Sequence, residues 1–247
     1  MTTDIDLLCE RAARQAAMAE SGLLPLPDEG TLRSAIEHVV LRPDLTEKKV
    51  GSLCERAVQY GFAALCLPMA WVACARRLLA ATAVQVNTTA GFPGGGPRQA
   101  LDAEVQYALD AGAHEIQIFL PTLAAPSKKR DPLRTALEQV RMRMTEISFA
   151  LLVETPFLSH SEIVAAARLA EVVKADRIKG GSCLWQPTAL QEAALLHCSV
   201  PDRMKISCSV TGGPSSAKGA RSLLSLGVDR ISTDTPEGLL RLSSVPS

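Results

Sequence analysis

Ser148-Phe-Ala-Leu-Leu-Val153, a helical run that opens near Ser161-Glu, and Asp176-Arg-Ile-Lys179 follow one another closely. Together they span roughly thirty residues, the length of one strand, helix, strand unit. Both strands are short and apolar, as strands covered on both faces are, and a helical crossover between them makes them parallel. The same alternation extends in both directions. Strands are expected at Ile36–Leu41, Ala63–Leu67, Val84–Ala90, Glu115–Leu120, Ser148–Val153, Asp176–Lys179, Lys205–Ser209 and Arg230–Thr233, each followed by a helical segment. Eight such units in a chain of 247 residues argue for closure into a (β/α)8 barrel of the α/β class rather than an open sheet. Helix starts are read at Thr46-Glu-Lys-Lys, at Ser161-Glu and at Pro187-Thr188.

A single barrel domain preceded by an N-terminal helix and linker is expected. Residues 1–30 hold a helix over Asp4 to Ser21, with Ile5, Leu8, Cys9, Ala12, Ala16 and Met18 near helical spacing, and a linker from Gly22 to Gly30. That helix is read as a lid over the bottom of the barrel or as a contact with a second copy in a homodimer. Residues 31–247 form the barrel. The long connection Pro121–Pro132 carries a basic run, Ser127-Lys-Lys-Arg130, read as a solvated loop.

The chain carries 26 basic and 26 acidic residues, and 47% of it is hydrophobic. That balance gives no footprint for nucleic acid and points to a small-molecule partner. Asp4, Asp6, Glu10 and Glu20 interrupt any secretory apolar run, and no stretch approaches the roughly 18 apolar residues of a membrane span. Seven cysteines show neither zinc-type CxxC pairs nor a disulfide framework, so a reducing cytoplasm is expected, with no metal and no cofactor.

In barrels of this kind the chemistry sits at the C-terminal ends of the strands and in the loops beyond them. Lys179 ends the sixth strand beside Ile178. Its ammonium is expected to project into the barrel mouth, where desolvation favours the neutral amine, a nucleophile able to form a Schiff base with a carbonyl. The other strand ends supply the substrate-binding set Cys66, Thr88, Glu154, Arg177, Ser182, Gly212, Gly213 and Asp234. The Gly91–Gly96 run lacks the Gly-Lys-Ser/Thr ending of a nucleotide loop and is read as tight turns.

A set of ordered blocks adds to this reading: Ile36-Glu-His with Leu41-Arg-Pro-Asp-Leu-Thr46, Tyr60-Gly-Phe-Ala-Ala-Leu-Cys66, Ala90-Gly-Phe-Pro93, Gly112-Ala-His-Glu-Ile-Gln117, Val153-Glu-Thr155, Ala175-Asp-Arg-Ile-Lys179 and Thr211-Gly-Gly213. In order and spacing, from about Ile36 to Leu240, the chain resembles deoxyribose-phosphate aldolase. The resemblance implies a metal-free class I aldolase whose Schiff-base lysine corresponds to Lys179. It also marks departures. The family's acid/base aspartate falls on Gln117, which cannot shuttle a proton, its second catalytic lysine on Ser209, and the lysine before Glu-Thr of strand five on Ala150.

Arg177 is read as the substitute for the missing charges. Two residues before Lys179 on the same face, at roughly 7 Å, it would disfavour the ammonium by about 2 kcal/mol at an effective dielectric of about 20. The alternative is that it turns outward. The resemblance would place a substrate phosphate against Gly212-Gly213 and a Ser-Ser pair whose counterpart is Asp234-Thr235. A carboxylate there opposes phosphate, so a substrate other than deoxyribose 5-phosphate is expected. Glu154, Glu37, His38 and Cys66 are replacement acid/base candidates, although Glu37 and Glu154 also read as structural carboxylates and His38 as a packed residue. Cys183 and Trp185 either reshape the pocket toward a larger or more apolar ligand or simply pack the loop. Three functions fit: an aldolase-lineage enzyme keeping Lys179, with Gln117 and Ser209 positioning oxygen atoms; a decayed barrel that binds a ligand or partner; and ordinary deoxyribose-phosphate cleavage.

Overall fold

Parallel strands leave no face to water, and every residue of the strands Ile36–Val39 (β1), Ala64–Cys66 (β2), Glu115–Phe119 (β4), Arg177–Gly180 (β6) and Arg230–Thr233 (β8) is buried. In the computed structural model, which describes residues 3–93, 97–120, 130–210 and 216–243, these strands pair with Gln85–Ala90 (β3), Ser148–Val153 (β5) and Lys205–Ser209 (β7). Each strand pairs in parallel with the next, and β8 returns to β1 to close the barrel. The (β/α)8 architecture read from the sequence is the architecture found, with strand ends shifted by one or two residues.

The helices are Asp4–Glu20 (α1), Glu29–Ala35 (α2), Glu47–Tyr60 (α3), Val72–Leu78 (α4), Arg98–Asp110 (α5), Arg130–Arg143 (α6), His160–Val172 (α7), Leu190–Ser199 (α8), Ser216–Ser225 (α9) and Pro236–Ser243 (α10). Thr46 caps α3 as expected, its hydroxyl accepting from the Lys49 amide at 3.3 Å. Two helix starts differ from expectation. The α7 cap is Ser159, in a reciprocal box with Glu162, because that pairing satisfies two free amides where Ser161 would satisfy one. Pro187-Thr188 opens no helix: the Thr188 hydroxyl is spent on the Gly180 carbonyl at 2.5 Å, and α8 begins at Leu190.

The N-terminal helix does not cover the bottom of the barrel. Small residues Ala12, Ala16 and Ala19 give α1 a buried stripe that lets it lie closely along α8, with further contact to α7 and α9. The position at the N-terminal end falls instead to α2, which runs directly into β1 and buries Leu32 completely among α9, α10 and β8. Among the described residues no helix is long and apolar enough to cross a membrane. All seven cysteines are free thiols.

Inside the barrel, alternate residues of each strand face the axis, and parallel register brings inward residues of neighbouring strands side by side. The pairs Glu37↔Ser232, Asn87↔Glu115, Thr89↔Gln117 and Lys179↔Ser207 make this interior unusually polar. The Pro121–Pro132 connection is shorter than expected, since α6 begins at Arg130, and residues 127–129 of its basic run lie outside the described residues.

Candidate active site

Lys179 reaches the barrel axis because β6 alternates Ile178 outward with Arg177 and Lys179 inward. Its side chain is 1% exposed. Nζ donates to Glu37 Oε2 at 2.6 Å, across the barrel from β1, and to Gln117 Oε1 at 2.8 Å from β4. Glu37 accepts three further bonds. Ser232 Oγ reaches Oε2 at 2.7 Å, while Asn87 Nδ2 and Gln117 Nε2 reach Oε1 at 2.6 and 2.7 Å. Four donors fill the capacity of one carboxylate.

These contacts overturn the expectation of a neutral amine. Burial does pull the Lys179 ammonium toward deprotonation, but the adjacent Glu37 carboxylate outweighs it and holds the amine above its ordinary value. Burial likewise pushes the Glu37 carboxyl up, and the Lys179 and Arg230 charges bring it down well below the usual range. The resting state is an ion pair.

Closer to the N-terminal end lies a second charged deck. Arg177 Nε donates to Glu115 Oε2 at 3.0 Å and its Nη1 to Ser207 Oγ at 3.2 Å. Arg230 Nη1 lies 3.4 Å from Glu115 Oε1, and Gln117 Nε2 joins the decks by donating to the same oxygen at 3.0 Å. Arg177 therefore points inward, as one of its two expected placements had it. Its charge is neutralised by Glu115, so it does not act as the cation that frees the Lys179 amine.

Above Lys179 the interior turns apolar. Val39, Cys66 and Cys183 form a small buried cluster with Leu41 against it. Cys66 Sγ lies 3.7 Å from Gln117 Oε1. Burial pushes both thiols up, Cys183 to about 12, so neither is an acid/base group near neutrality. The loop that carries Cys183 is built on Gly181, whose φ of +85° favours glycine and whose Cβ would run into Ser209. Thr188 clasps this loop to β7: the Ser209 amide donates to Thr188 Oγ1 at 3.2 Å, and the two hydroxyls lie 3.3 Å apart.

The remaining sequence candidates divide. Glu37, Gln117 and Cys66 gather around Lys179. Ser209 partners Thr188 rather than Lys179. The Thr88 hydroxyl donates to the Leu67 carbonyl at 2.9 Å, on the outer side of its strand. Glu154 holds the loop, its Oε1 accepting from the Ser182 amide at 2.9 Å. Its Oε2 is buried without a partner, and burial raises this carboxyl. His38 packs edge-on against Phe62 with centroids 6.1 Å apart, and burial lowers it to about 4. Asp234 is exposed, with Thr235 Oγ1 3.2 Å away. Gly212, Gly213 and residues 94–96 of the glycine run lie outside the described residues. Asn87, Glu115, Arg230 and Ser232 escaped the sequence reading. Their signal was polar residues two apart within buried strands, which parity places on the axis with Gln117 and Lys179.

The deoxyribose-phosphate aldolase of Geobacillus sp. (strain WCH70) is 30% identical to the chain over 210 residues, covering 84% of this chain and 93% of that protein. The chain belongs to the deoxyribose-phosphate aldolase family. The deoxyribose-phosphate aldolase of Brevibacillus brevis is 28% identical over 202 residues, or 81% of this chain and 90% of that protein. Among solved structures, an aldolase named QR15 superposes with a TM-score of 0.76 at 26% identity, over 85% of this chain and 94% of its own. A structure from Coccidioides immitis described as a putative deoxyribose-phosphate aldolase shares the fold, with a TM-score of 0.81 at 20% identity over 96% of this chain and 98% of its own. No protein-family model matches the chain. The identity is that of a divergent member of the family.

Proposed function

We propose that the chain is a class I aldolase-type enzyme in which Lys179 forms a Schiff base with a carbonyl substrate, for carbon–carbon bond formation, cleavage or cyclisation. The observation that carries this reading is the 2.6 Å contact between Lys179 Nζ and Glu37 Oε2 in the barrel interior. It sets a carboxylate against a family-position lysine, where Gln117 offers only a neutral amide, so the proton of the resting ion pair has one group to cross to when the amine reacts.

The step balances within that pair. Because the ion pair is the resting state, attack proceeds from the minor neutral form: the ammonium proton passes along the hydrogen bond to Glu37, and the freed lone pair attacks the carbonyl carbon to give a carbinolamine. Glu37 returns the proton to the departing hydroxyl, water leaves, and a protonated imine remains. The imine then serves as an electron sink for the adjacent bond. Gln117, with its amide oxygen 2.8 Å from Nζ and its nitrogen on both Glu37 and Glu115, positions the amine. The substrate is not ordinary deoxyribose 5-phosphate: Asp234 stands where the resemblance places a phosphate, and the acid/base group has moved from Gln117 to Glu37.

One observation favours a second reading, a decayed barrel with a binding role. A buried, fully hydrogen-bonded ion pair is also a sound structural element. Turnover of a panel of aldehydes, ketones and deoxyribose 5-phosphate, followed by chromatography, separates the two. Lys179→Ala and Lys179→Arg are expected to abolish product formation from a non-phosphorylated carbonyl. Turnover retained by both variants, or biological function untouched by them, refutes the enzymatic reading.

A further inference from the structure

The chain is poor in aromatic residues, with five Phe, two Trp and two Tyr, yet four of these nine rings meet at the barrel mouth. Phe119 ends β4 on the inward side, two residues beyond Gln117. Its register partner on β5 is Leu152, which in turn pairs with Lys179. Beyond Gln117, toward the strand ends, β4 and β5 thus present apolar side chains at the level of Lys179. From Phe119 the rings continue outward. Phe92, in the loop after β3, meets Phe119 edge-on at 5.6 Å between centroids, Trp185 lies 6.1 Å from Phe92, and Phe157 meets Trp185 edge-on at 6.1 Å.

The four rings come from the ends of β3, β4, β5 and β6 and run in contact from Phe119, on the inward side of β4, out to Trp185 and Phe157 at the surface. The inner end is closed and the outer end open: Phe119 is 9% exposed, Trp185 42% and Phe157 53%. Two large rings left half in water at a strand-end mouth are an unfilled apolar surface. A flat apolar group covers more of this wall than a hydroxyl-bearing sugar phosphate can without burying unpaired hydroxyls.

We infer that this wall is a subsite for an aryl group, and that the natural carbonyl substrate bears one. The inference rests on the Lys179 reading for its chemistry but not for its binding surface, and the two can be tested apart. The occupant is a small molecule because the wall leads down to the Lys179 level through Phe119 rather than across the outer surface.

The probes are 3-phenylpropanal, propanal and 3-phenylpropan-1-ol, the last having no carbonyl to react. Borohydride delivers hydride to any imine carbon and fixes the adduct as a secondary amine. Half-maximal labelling of Lys179 is expected at a concentration at least tenfold lower for 3-phenylpropanal than for propanal, and 3-phenylpropan-1-ol is expected to bind by calorimetry. In Trp185→Ala and Phe157→Ala, alcohol affinity falls by about tenfold, and the ratio between the aldehydes closes to within about twofold. Alcohol binding that depends on Trp185 while neither aldehyde labels Lys179 upholds the aryl subsite and sinks the Schiff-base reading. Equal labelling by both aldehydes in the unaltered chain overturns the subsite. So does a fall in oligomer size in both variants with no alcohol binding, which would make these rings a contact between copies.

Discussion

Replacing Glu37 by Gln removes the carboxylate paired with Lys179 while keeping its shape. The ammonium is 1% exposed, and the remaining contact from Gln117 Oε1 is a neutral dipole, so the variant has a choice between an uncompensated buried charge and a neutral amine. Breaking a buried pair in this way typically costs about 3–5 kcal/mol. The pH dependence follows. In the unaltered protein the Lys179 pKa is raised, so the stability it contributes is fully present below the ordinary lysine value and is lost only as pH climbs through the folded one. Its stability is therefore flat from this source between pH 6 and 9. In the variant, burial dominates, the folded state sheds a proton that the unfolded chain keeps, and stability rises with pH. Deprotonating a lysine of ordinary pKa about 10.4 at pH 7 costs about 5 kcal/mol, and at pH 9 about 2. Urea unfolding of both proteins from pH 6 to pH 9 should show a gap that shrinks by about 1.4 kcal/mol per pH unit. A gap below about 1 kcal/mol at pH 7, or one that does not change with pH, would refute the buried ion pair.

Gly181→Ala places a side chain at φ +85° against Ser209. The strain alone is worth about 1–3 kcal/mol, so melting should drop by several degrees, and an unchanged midpoint would contradict the described loop. His38 is held neutral by burial, with its pKa lowered to about 4. Between about pH 6.5 and pH 4 the unfolded chain binds a proton that the folded one refuses, so acid removes up to about 3 kcal/mol. His38→Gln should flatten that part of the stability profile, which a solvated histidine would leave unchanged. Gln117→Ala deprives Glu37 and Glu115 of one donor each and is expected to destabilise by about 1–3 kcal/mol. It should also slow product formation, and a variant with unaltered stability and turnover removes Gln117 from the site.

The barrel was legible because eight short apolar runs separated by helical spacing admit few other arrangements, and Lys179 was legible because it ends one of them. Its ionisation was not. The deciding neighbour, Glu37, stands 142 positions earlier in the chain, and only closure of β8 onto β1 brings the first strand across from the sixth. Arg177 shows the same lesson at short range. Parity placed it inward correctly, but the carboxylate that cancels its charge comes from β4. Ser209 was assigned by resemblance, yet loop geometry spends its hydroxyl on Thr188. The flank position of α1 depends on small residues whose partner surface on α8 has no signature in α1 itself.

The most direct test of the account is peptide mass mapping after borohydride reduction in the presence of reactive aldehydes. One stoichiometric adduct is expected on the peptide containing Lys179, absent from Lys179→Arg. Labelling confined to exposed lysines such as Lys49 and Lys205, with Lys179 unmodified across the whole panel, would contradict it.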